Sequence, residues 1–188
     1  MENNEIIKNN IKDLEIRSVA NYEIRQLDSE NGDNKTVIEG YITKFDSPTE
    51  LFENYFEIID RNAFNNTLND GHNIFLLYHH QWDKPLSSTK AGSLELNIDE
   101  FGLKFKAIIN KNVSFGKDTI ELIKSGLVTG CSFGFICQED DISHNSESNT
   151  TRRKLLNVDL LEGSVLCIPQ YEDTVVYTRA KQIDKEER

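Results

Sequence analysis

The sequence is organised around Val128-Thr129-Gly130-Cys131-Ser132-Phe133-Gly134-Phe135-Ile136. Its β-branched and aromatic residues predict a strand. The segment before it, Ser114–Ser125, has apolar residues at helical spacing and is followed by Gly126, which predicts an amphipathic helix closed by a glycine. We interpret Ser132 as a candidate nucleophile and the rest of the chain as the scaffold that holds it.

Composition limits the class of protein. The 188 residues suffice for one domain with one substantial core. The formal charge of −11 argues against nucleic acid and anionic membranes as partners, since both require a basic face. The cysteines are odd in number, lie in apolar runs and lack C-x-x-C spacing, which favours a reducing compartment. No ligand set has workable spacing, so we expect neither metal nor cofactor.

The remaining patterns predict a fold. About seven short strands interrupted by two helices indicate a mostly β (α+β) class, with a closed or strongly bent antiparallel β-barrel and the helices outside it. Residues 14–45 read as a long hairpin around an Asn-Gly turn, and residues 73–78 as a central strand. The segment 138–154 is almost without aliphatic residues and reads as a mobile polar loop.

Domain limits follow from the ends of these patterns. We expect a mobile N-terminal arm over residues 1–13, one domain over 14–180 and a charged C-terminal tail over 181–188. No apolar run of membrane-spanning length occurs, and the N-terminus lacks a signal-peptide pattern. The expected compartment is therefore the cytoplasm.

The pattern Gly130-x-Ser132-x-Gly134 literally matches the nucleophile elbow of α/β-hydrolases. An elbow requires strand, turn and helix in that order, whereas here a helix precedes the serine and strand-like residues follow it. The one histidine downstream, His144, lies in the polar segment. This context disfavours an esterase-like hydrolase.

A serine with an upstream base is the alternative. His80 directly follows the predicted central strand, and Glu162 lies within the apolar run 160–166. A buried carboxylate needs a partner, and an imidazole N–H would serve. His80 would then take the proton of Ser132, and Glu162 would fix the tautomer and stabilise the imidazolium.

Two points stay open at this level. The oxyanion donors could be backbone N–H groups near Gly130 and Cys131, or an arginine, Arg152 or Arg153. Ser132 could instead be an ordinary small strand residue, and Glu162 could pair with one of those two arginines rather than with a histidine.

Several motifs, in conserved order over roughly residues 36–178, resemble the tailed-phage prohead proteases, capsid-maturation enzymes whose fold is similar to that of herpesvirus assemblins. The segments that carry the resemblance are Glu39-Gly40-Tyr41-Ile42-Thr43-Lys44-Phe45, Phe56-Glu57-Ile58-Ile59-Asp60-Arg61-Asn62-Ala63-Phe64, Leu76-Leu77-Tyr78-His79-His80-Gln81-Trp82, Phe101-Gly102-Leu103, Gly130-Cys131-Ser132-Phe133-Gly134-Phe135, and Leu161-Glu162-Gly163-Ser164-Val165 with Pro169.

The resemblance implies that Ser132 is the nucleophile, His80 the base and Glu162 the acid. This sequence departs from the family pattern N-H-D, because His79 replaces Asn and Gln81 replaces Asp. Asn62 likewise replaces Gly, and Gly163 replaces Val. The His79-His80 pair leaves the choice of base open.

The function implied is that of a serine endopeptidase that cleaves scaffold and capsid precursor during procapsid maturation, and also cleaves itself. Its implied partners are the major capsid protein precursor, the scaffold domain and a second copy of the chain, with the oligomeric state open. It would act inside the procapsid, in the host bacterial cytoplasm. Expected self-cleavage segments are 1–13, 138–154 and 181–188, since proteolysis requires exposed backbone. The alternative is a capsid-assembly module that binds scaffold and has lost catalysis.

Overall fold

A computed structural model describes residues 13–19, 25–27 and 34–167. Within these residues, eleven strands form one sheet of seven strands and one of four. The strands are β1 (Leu14–Val19), β2 (Arg25–Leu27), β3 (Lys35–Lys44), β4 (Thr49–Phe52), β5 (Tyr55–Ile59), β6 (Phe75–Tyr78), β7 (Gln81–Ser88), β8 (Leu94–Ile98), β9 (Gly102–Asn110), β10 (Gly130–Asn145) and β11 (Thr150–Leu166). The helices are α1 (Asn65–Asn69) and α2 (Ser114–Lys124). The mostly β class is confirmed.

The larger sheet is built on a long antiparallel pair, β10 and β11. Its order is β1-β10-β11-β5-β4, with β6 also next to β11 and β7 next to β6. The candidate nucleophile strand therefore has a neighbour on each side, β1 and β11. The predicted central strand is β6, which pairs with β11 and with β7.

The prediction that all strands pair antiparallel is wrong for two strand pairs, because β11 runs parallel to both β5 and β6. Parallel neighbours cannot be joined by a tight turn and come from distant parts of the chain. The composition of one strand carries no information about the direction of such a distant partner.

Contacts across the larger sheet require it to bend. Strands β1 and β5 are separated by β10 and β11, so in a flat sheet their backbones would lie three spacings of about 4.8 Å apart. The Arg17 guanidinium on β1 nevertheless donates to the Glu57 carboxylate on β5, with Nε–Oε1 at 2.6 Å. Register shifts along β10 and β11 supply local bends. The strong bend follows from these contacts, and closure into a barrel stays a prediction.

Residues 14–45 form the predicted hairpin only in part: β2 and β3, which flank the predicted turn in sequence, pair antiparallel, but β1 does not continue this pair. Strand β1 pairs with β10 in the larger sheet, whereas β2 pairs with β3 in the smaller one, which has the order β2-β3-β9-β8. The predicted Asn-Gly turn lies mostly outside the described residues. Strand composition marked both segments correctly, but it did not distinguish a nearby partner from one more than a hundred residues away.

The predicted polar loop 138–154 is also wrong. Most of it is the exposed end of the β10–β11 hairpin, from Gln138 to Asn145 and from Thr150 to Lys154. Polar cross-strand contacts replace apolar burial here: the Arg153 guanidinium donates to Asp140 at 2.6 Å, and His144 hydrogen-bonds Thr151 at 3.1 Å. Such polar cross-strand pairs stabilise two paired strands that contain almost no aliphatic residues.

The core fills the space between the two sheets. A Cβ added at Gly163 on β11 would lie 2.9 Å from Ile42 on β3, so this face of β11 packs directly on the smaller sheet. Phe133 and Phe135 on β10 stack with ring centroids 5.2 Å apart and are fully buried. Alternation along a strand then places Ser132 and Gly134 on the opposite face of β10.

Helix α2 ends as predicted, with Gly126 at φ 71° just beyond its last turn, a conformation that glycine adopts at little cost. Helix α1 begins only at Asn65, because the Asp60 carboxylate accepts the Asn62 N–H and closes a turn before it. Neither of the two described helices is long and apolar enough to span a membrane.

Candidate active site

Ser132 lies in a row of three serines that crosses three strands. On β10 it is the register partner of Ser18 on β1 and of Ser164 on β11, so the three side chains share one face. The Ser132 side chain is fully buried. Its Oγ donates to the backbone oxygen of Arg17 at 2.8 Å and accepts from the Ser18 hydroxyl at 3.2 Å.

Glu162 stands on the same face, two residues before Ser164 on β11. It is 2 % exposed, and its register partner on β10 is Gly134. A Cβ at position 134 would lie 2.6 Å from Glu162 Oε1, closer than atoms can approach. The second glycine of the G-x-S-x-G pattern therefore leaves room for the carboxylate rather than shaping an elbow.

His80 is presented by the tight connection between β6 and β7. Tyr78 and Gln81 are register partners, and the two residues between them have positive φ, 52° at His79 and 58° at His80. This is the pattern of a type I′ turn, in which Asn and Gly are favoured. The resemblance places Asn at position 79, and the left-handed backbone gives the physical reason for that preference.

The His80 side chain reaches Glu162. Its Nδ1 lies 2.7 Å from Glu162 Oε1, and its backbone N–H donates to Ser164 Oγ at 3.0 Å. The Ser164 hydroxyl donates in turn to Glu162 Oε2 at 2.6 Å. Both carboxylate oxygens are therefore occupied, so neither Arg152 nor Arg153 is needed to satisfy Glu162.

The second ring nitrogen of His80, Nε2, is buried and has no hydrogen-bond partner within the described residues. With Nδ1–H donated to the carboxylate, Nε2 is the nitrogen with the free lone pair. Buried polar atoms without partners are rare in folded proteins, and catalytic use is one of their recognised explanations. The Ser132 hydroxyl donates to the backbone oxygen of Arg17 rather than to His80 Nε2.

His79 points to other partners. Its Nε2 accepts the backbone N–H of Cys167 at 3.3 Å, and its ring packs on Tyr78 with centroids 4.4 Å apart. Burial, together with the charges of His80 and Lys84, lowers its pKa. No described contact links His79 to Glu162, so of the two histidines it is His80 that contacts the carboxylate.

Ser164 was not singled out from the sequence. The signal was available, because a residue two positions after Glu162 in a strand shares its face. Its hydroxyl connects the Glu162 carboxylate to the backbone of His80, so it positions both groups relative to each other.

One candidate oxyanion arginine, Arg153, is occupied elsewhere. The Arg153 guanidinium donates to Glu15, Asp140 and Glu57, and Arg152 is exposed. Burial alone would lower the pKa of Arg153, but the hydrogen bonds to Glu15 and Asp140 outweigh it and the pKa is raised.

The ion pairs of Arg17 also hold β1 beside β10, the strand that carries the candidate nucleophile. Arg17 binds Glu57 through two nitrogens, at 2.6 and 2.8 Å, and Glu15 at 2.6 Å. Burial alone would lower the pKa of Arg17, but its bonds to Glu57 and Glu15 raise it. Sequence reasoning missed this network, although Glu57 stands within a segment that carries the resemblance.

The nucleophile-elbow interpretation is excluded by topology, because β10 continues as a strand from Gly130 to Asn145. In the part of the chain that the structure describes, no group of three or more His, Cys, Asp or Glu side chains is arranged to hold a metal ion.

A serine, a histidine and a carboxylate on one face of a mostly β fold are the side-chain types of a serine hydrolase. The sequence model of the caudovirus prohead serine proteases matches residues 20–188. The chain belongs to this family.

One solved structure that matches this chain is the capsid assembly protease of bacteriophage T4, gp21. It is 9 % identical to this chain, the match covers 82 % of this chain and 99 % of that one, and the TM-score is 0.49. No curated protein sequence matches the chain.

Proposed function

We propose that this protein is a serine endopeptidase of procapsid maturation, with Ser132 as nucleophile, His80 as general base and Glu162 as the acid that orients the base. Membership of a serine protease family supports the reaction class. The observation that carries the residue assignment is the His80 Nδ1–Glu162 Oε1 contact of 2.7 Å, which leaves the buried Nε2 free to accept a proton.

In the proposed reaction, His80 Nε2 takes the proton of Ser132 as Oγ forms a bond to the scissile carbonyl carbon. The carbonyl π electrons move onto its oxygen, and Glu162 stabilises the imidazolium. Collapse of the intermediate restores the carbonyl and breaks the C–N bond, and His80 gives its proton to the leaving amine. Water then hydrolyses the acyl-enzyme by the same steps.

The arrangement described here is a resting one. The Ser132 proton is donated to the Arg17 carbonyl, so the hydroxyl must rotate toward His80 before attack. Catalytic hydrogen bonds often become short and well aligned only in the substrate complex.

The substrates would be the major capsid protein precursor, its scaffold domain and the chain itself, as monomer or homodimer, inside procapsids in the bacterial cytoplasm. Residues 14–180 would form the protease domain, between an N-terminal arm and a C-terminal tail, and its bent sheet would close into an assemblin-like barrel.

A second candidate is a scaffold-binding module without catalysis. It is favoured by one observation, that the Ser132 hydroxyl is fully buried and bonded to the main chain.

Intact mass after coexpression with the capsid precursor separates the two candidates. We expect discrete truncation of precursor and of this chain by the wild type, and a loss of at least about 10³-fold in cleavage rate for Ser132→Ala and for His80→Ala. The matched control is Ser143→Ala, an exposed serine on the same strand, which should cleave normally. Equal processing by wild type and Ser132→Ala would refute the protease assignment, and unprocessed precursor with retained scaffold binding would establish the module.

His79→Ala decides which histidine is the base. We expect it to retain most of the cleavage activity that His80→Ala loses. The opposite ranking would reassign the base to His79.

A further inference from the structure

The serine row contains a hydroxyl for which the proposed mechanism has no role. Ser18 Oγ lies 3.2 Å from Ser132 Oγ, the atom that would attack, and is held there by strand register. Unlike Ser132 and Ser164, Ser18 is exposed. Ser18 is therefore the solvent-accessible member of the row.

The mechanism requires a donor to the developing oxyanion, and two of the donors considered from sequence, Arg153 and the Cys131 backbone N–H, are committed elsewhere. Arg153 is bound by three carboxylates. Cys131 and Ser132 have strand partners on both sides, β1 and β11, so their backbone N–H groups face a neighbouring strand rather than open space. A side-chain hydroxyl is an accepted alternative donor in oxyanion holes.

We propose that Ser18 is a further catalytic residue, whose hydroxyl donates a hydrogen bond to the oxyanion formed when Ser132 attacks. This inference rests on the proposed protease function and deepens it.

The chemistry follows from the change in charge at one atom. When Ser132 Oγ bonds to the carbonyl carbon, its proton passes to His80 Nε2 and the π electron pair moves to the carbonyl oxygen. That oxygen is two covalent bonds from Ser132 Oγ and now carries the negative charge. The Ser18 O–H, which at rest donates to Ser132 Oγ, can rotate to donate to it. Collapse of the intermediate returns the electron pair and releases the amine.

The position of Ser18 is fixed by its neighbour in sequence. Arg17 is bonded to the buried Glu57 carboxylate through two nitrogens, which anchors β1 against β5. A donor fixed before the reaction stabilises charge more than one that must reorganise. The alternative is that Ser18 makes an ordinary cross-strand contact, and this alternative predicts no change in reaction rate.

The test uses a fluorophosphonate, whose phosphoryl oxygen takes the place of the oxyanion when it labels a serine. Intact mass of the full chain would follow the labelling rate at a series of probe concentrations, which separates the limiting rate from the probe concentration at half-maximal rate. Ser132→Ala is the blank. Ser143→Ala, an exposed strand serine away from the row, is the matched control.

We expect Ser18→Ala to lower the limiting rate by about 10²- to 10³-fold, the usual effect of losing one oxyanion donor, with a nearly unchanged half-maximal concentration. Ser18→Thr keeps the hydroxyl and should recover most of the rate. Ser143→Ala should equal the wild type.

Three results would overturn the proposal, the first two without affecting the protease function and the third together with it. If the wild type labels at Ser132 and Ser18→Ala labels at the same rate, or if Ser18→Thr is as slow as Ser18→Ala, then Ser18 is not the donor although the protease function stands. If the wild type does not label at Ser132, the protease function fails and the role of Ser18 with it.

Discussion

The two ends of the β10–β11 hairpin differ in what holds them together. At one end, from Cys131 to Phe135, every residue is buried, one face packs on the core and the other carries the candidate site. At the other end, from Gln138 to Asn145, every residue is exposed and the strands are joined by polar pairs. The same pair of strands thus carries the candidate site at its buried end and is exposed to solvent at the other end.

The difference shows that strand pairing and burial are separate properties. Backbone hydrogen bonds continue along both ends, while the free energy from apolar burial is confined to one. Substitutions at the buried end should therefore affect catalysis or stability strongly, and those at the exposed end weakly. The predictions below test this contrast, from the largest expected effect to the smallest.

The largest effect is expected at the carboxylate of the buried end. Glu162→Gln keeps the size of the side chain but can donate to His80 Nδ1, which would favour the wrong tautomer. We expect a loss of about 10⁴-fold in peptide cleavage rate, as for the equivalent change in other triads. The control is Asp159→Asn on the same strand, whose carboxylate accepts from Gln138. Similar rates for the two variants would contradict the role of Glu162.

The ion pairs that anchor β1 come next. Glu57 is 4 % exposed and binds Arg17 and Arg153. Glu57→Ala removes the most buried carboxylate of the network, which both guanidinium groups bind, so we expect unfolding in urea to show a loss of about 3–5 kcal/mol. The exposed Glu139→Ala should stay within about 0.5 kcal/mol of the wild type. A loss below about 1 kcal/mol for Glu57→Ala would mean that β1 is held mainly by its backbone bonds.

Acid should weaken the same network through Glu15. Burial alone would raise the pKa of Glu15, but the hydrogen bond from Arg153 and the charges of Arg17 and Arg153 outweigh it and lower the pKa. The unfolded chain then binds this proton first, so the stabilisation is full above the unfolded pKa of about 4.3 and is lost as the pH falls through the lower folded value.

Urea unfolding of wild type and Glu15→Gln from pH 7 to pH 3 measures this effect. The wild type should be more stable at pH 7, and the difference should shrink below about pH 4.3. A constant difference over the whole range would show that Glu15 contributes by shape rather than by charge.

The smallest change in stability is expected at the exposed end of the β10–β11 hairpin. Ile142 is 54 % exposed at the centre of the exposed end. Ile142→Ala should change the free energy of unfolding by less than about 0.5 kcal/mol, because little apolar area is lost. A loss of more than about 1.5 kcal/mol is the size expected for a buried isoleucine. It would show that the exposed end is also stabilised by apolar burial, contrary to the difference described above.

The candidate site could be proposed in part from the sequence. Ser132, His80 and Glu162 were singled out because each stands in or beside an apolar strand-like run, where a polar side chain is unusual. The structure brings His80 and Glu162 into direct contact and places Ser132 on the same face. Ser18 is 114 residues from Ser132 along the chain, and no local pattern connects the two.

The sequence by itself determined the mostly β class, the Gly126 helix end, and which residues lie on which face of their own strand. These depend on local periodicity and backbone preference, which a short segment carries within itself. The family was indicated separately, by the resemblance of several motifs in the same order. Only the tertiary structure decided that β1 leaves its neighbour to flank β10, that β5 and β6 run parallel to β11, and that three serines share one row. Register and direction between distant strands are selected by the packing of the whole core, because a slip of one residue would turn every buried side chain outward.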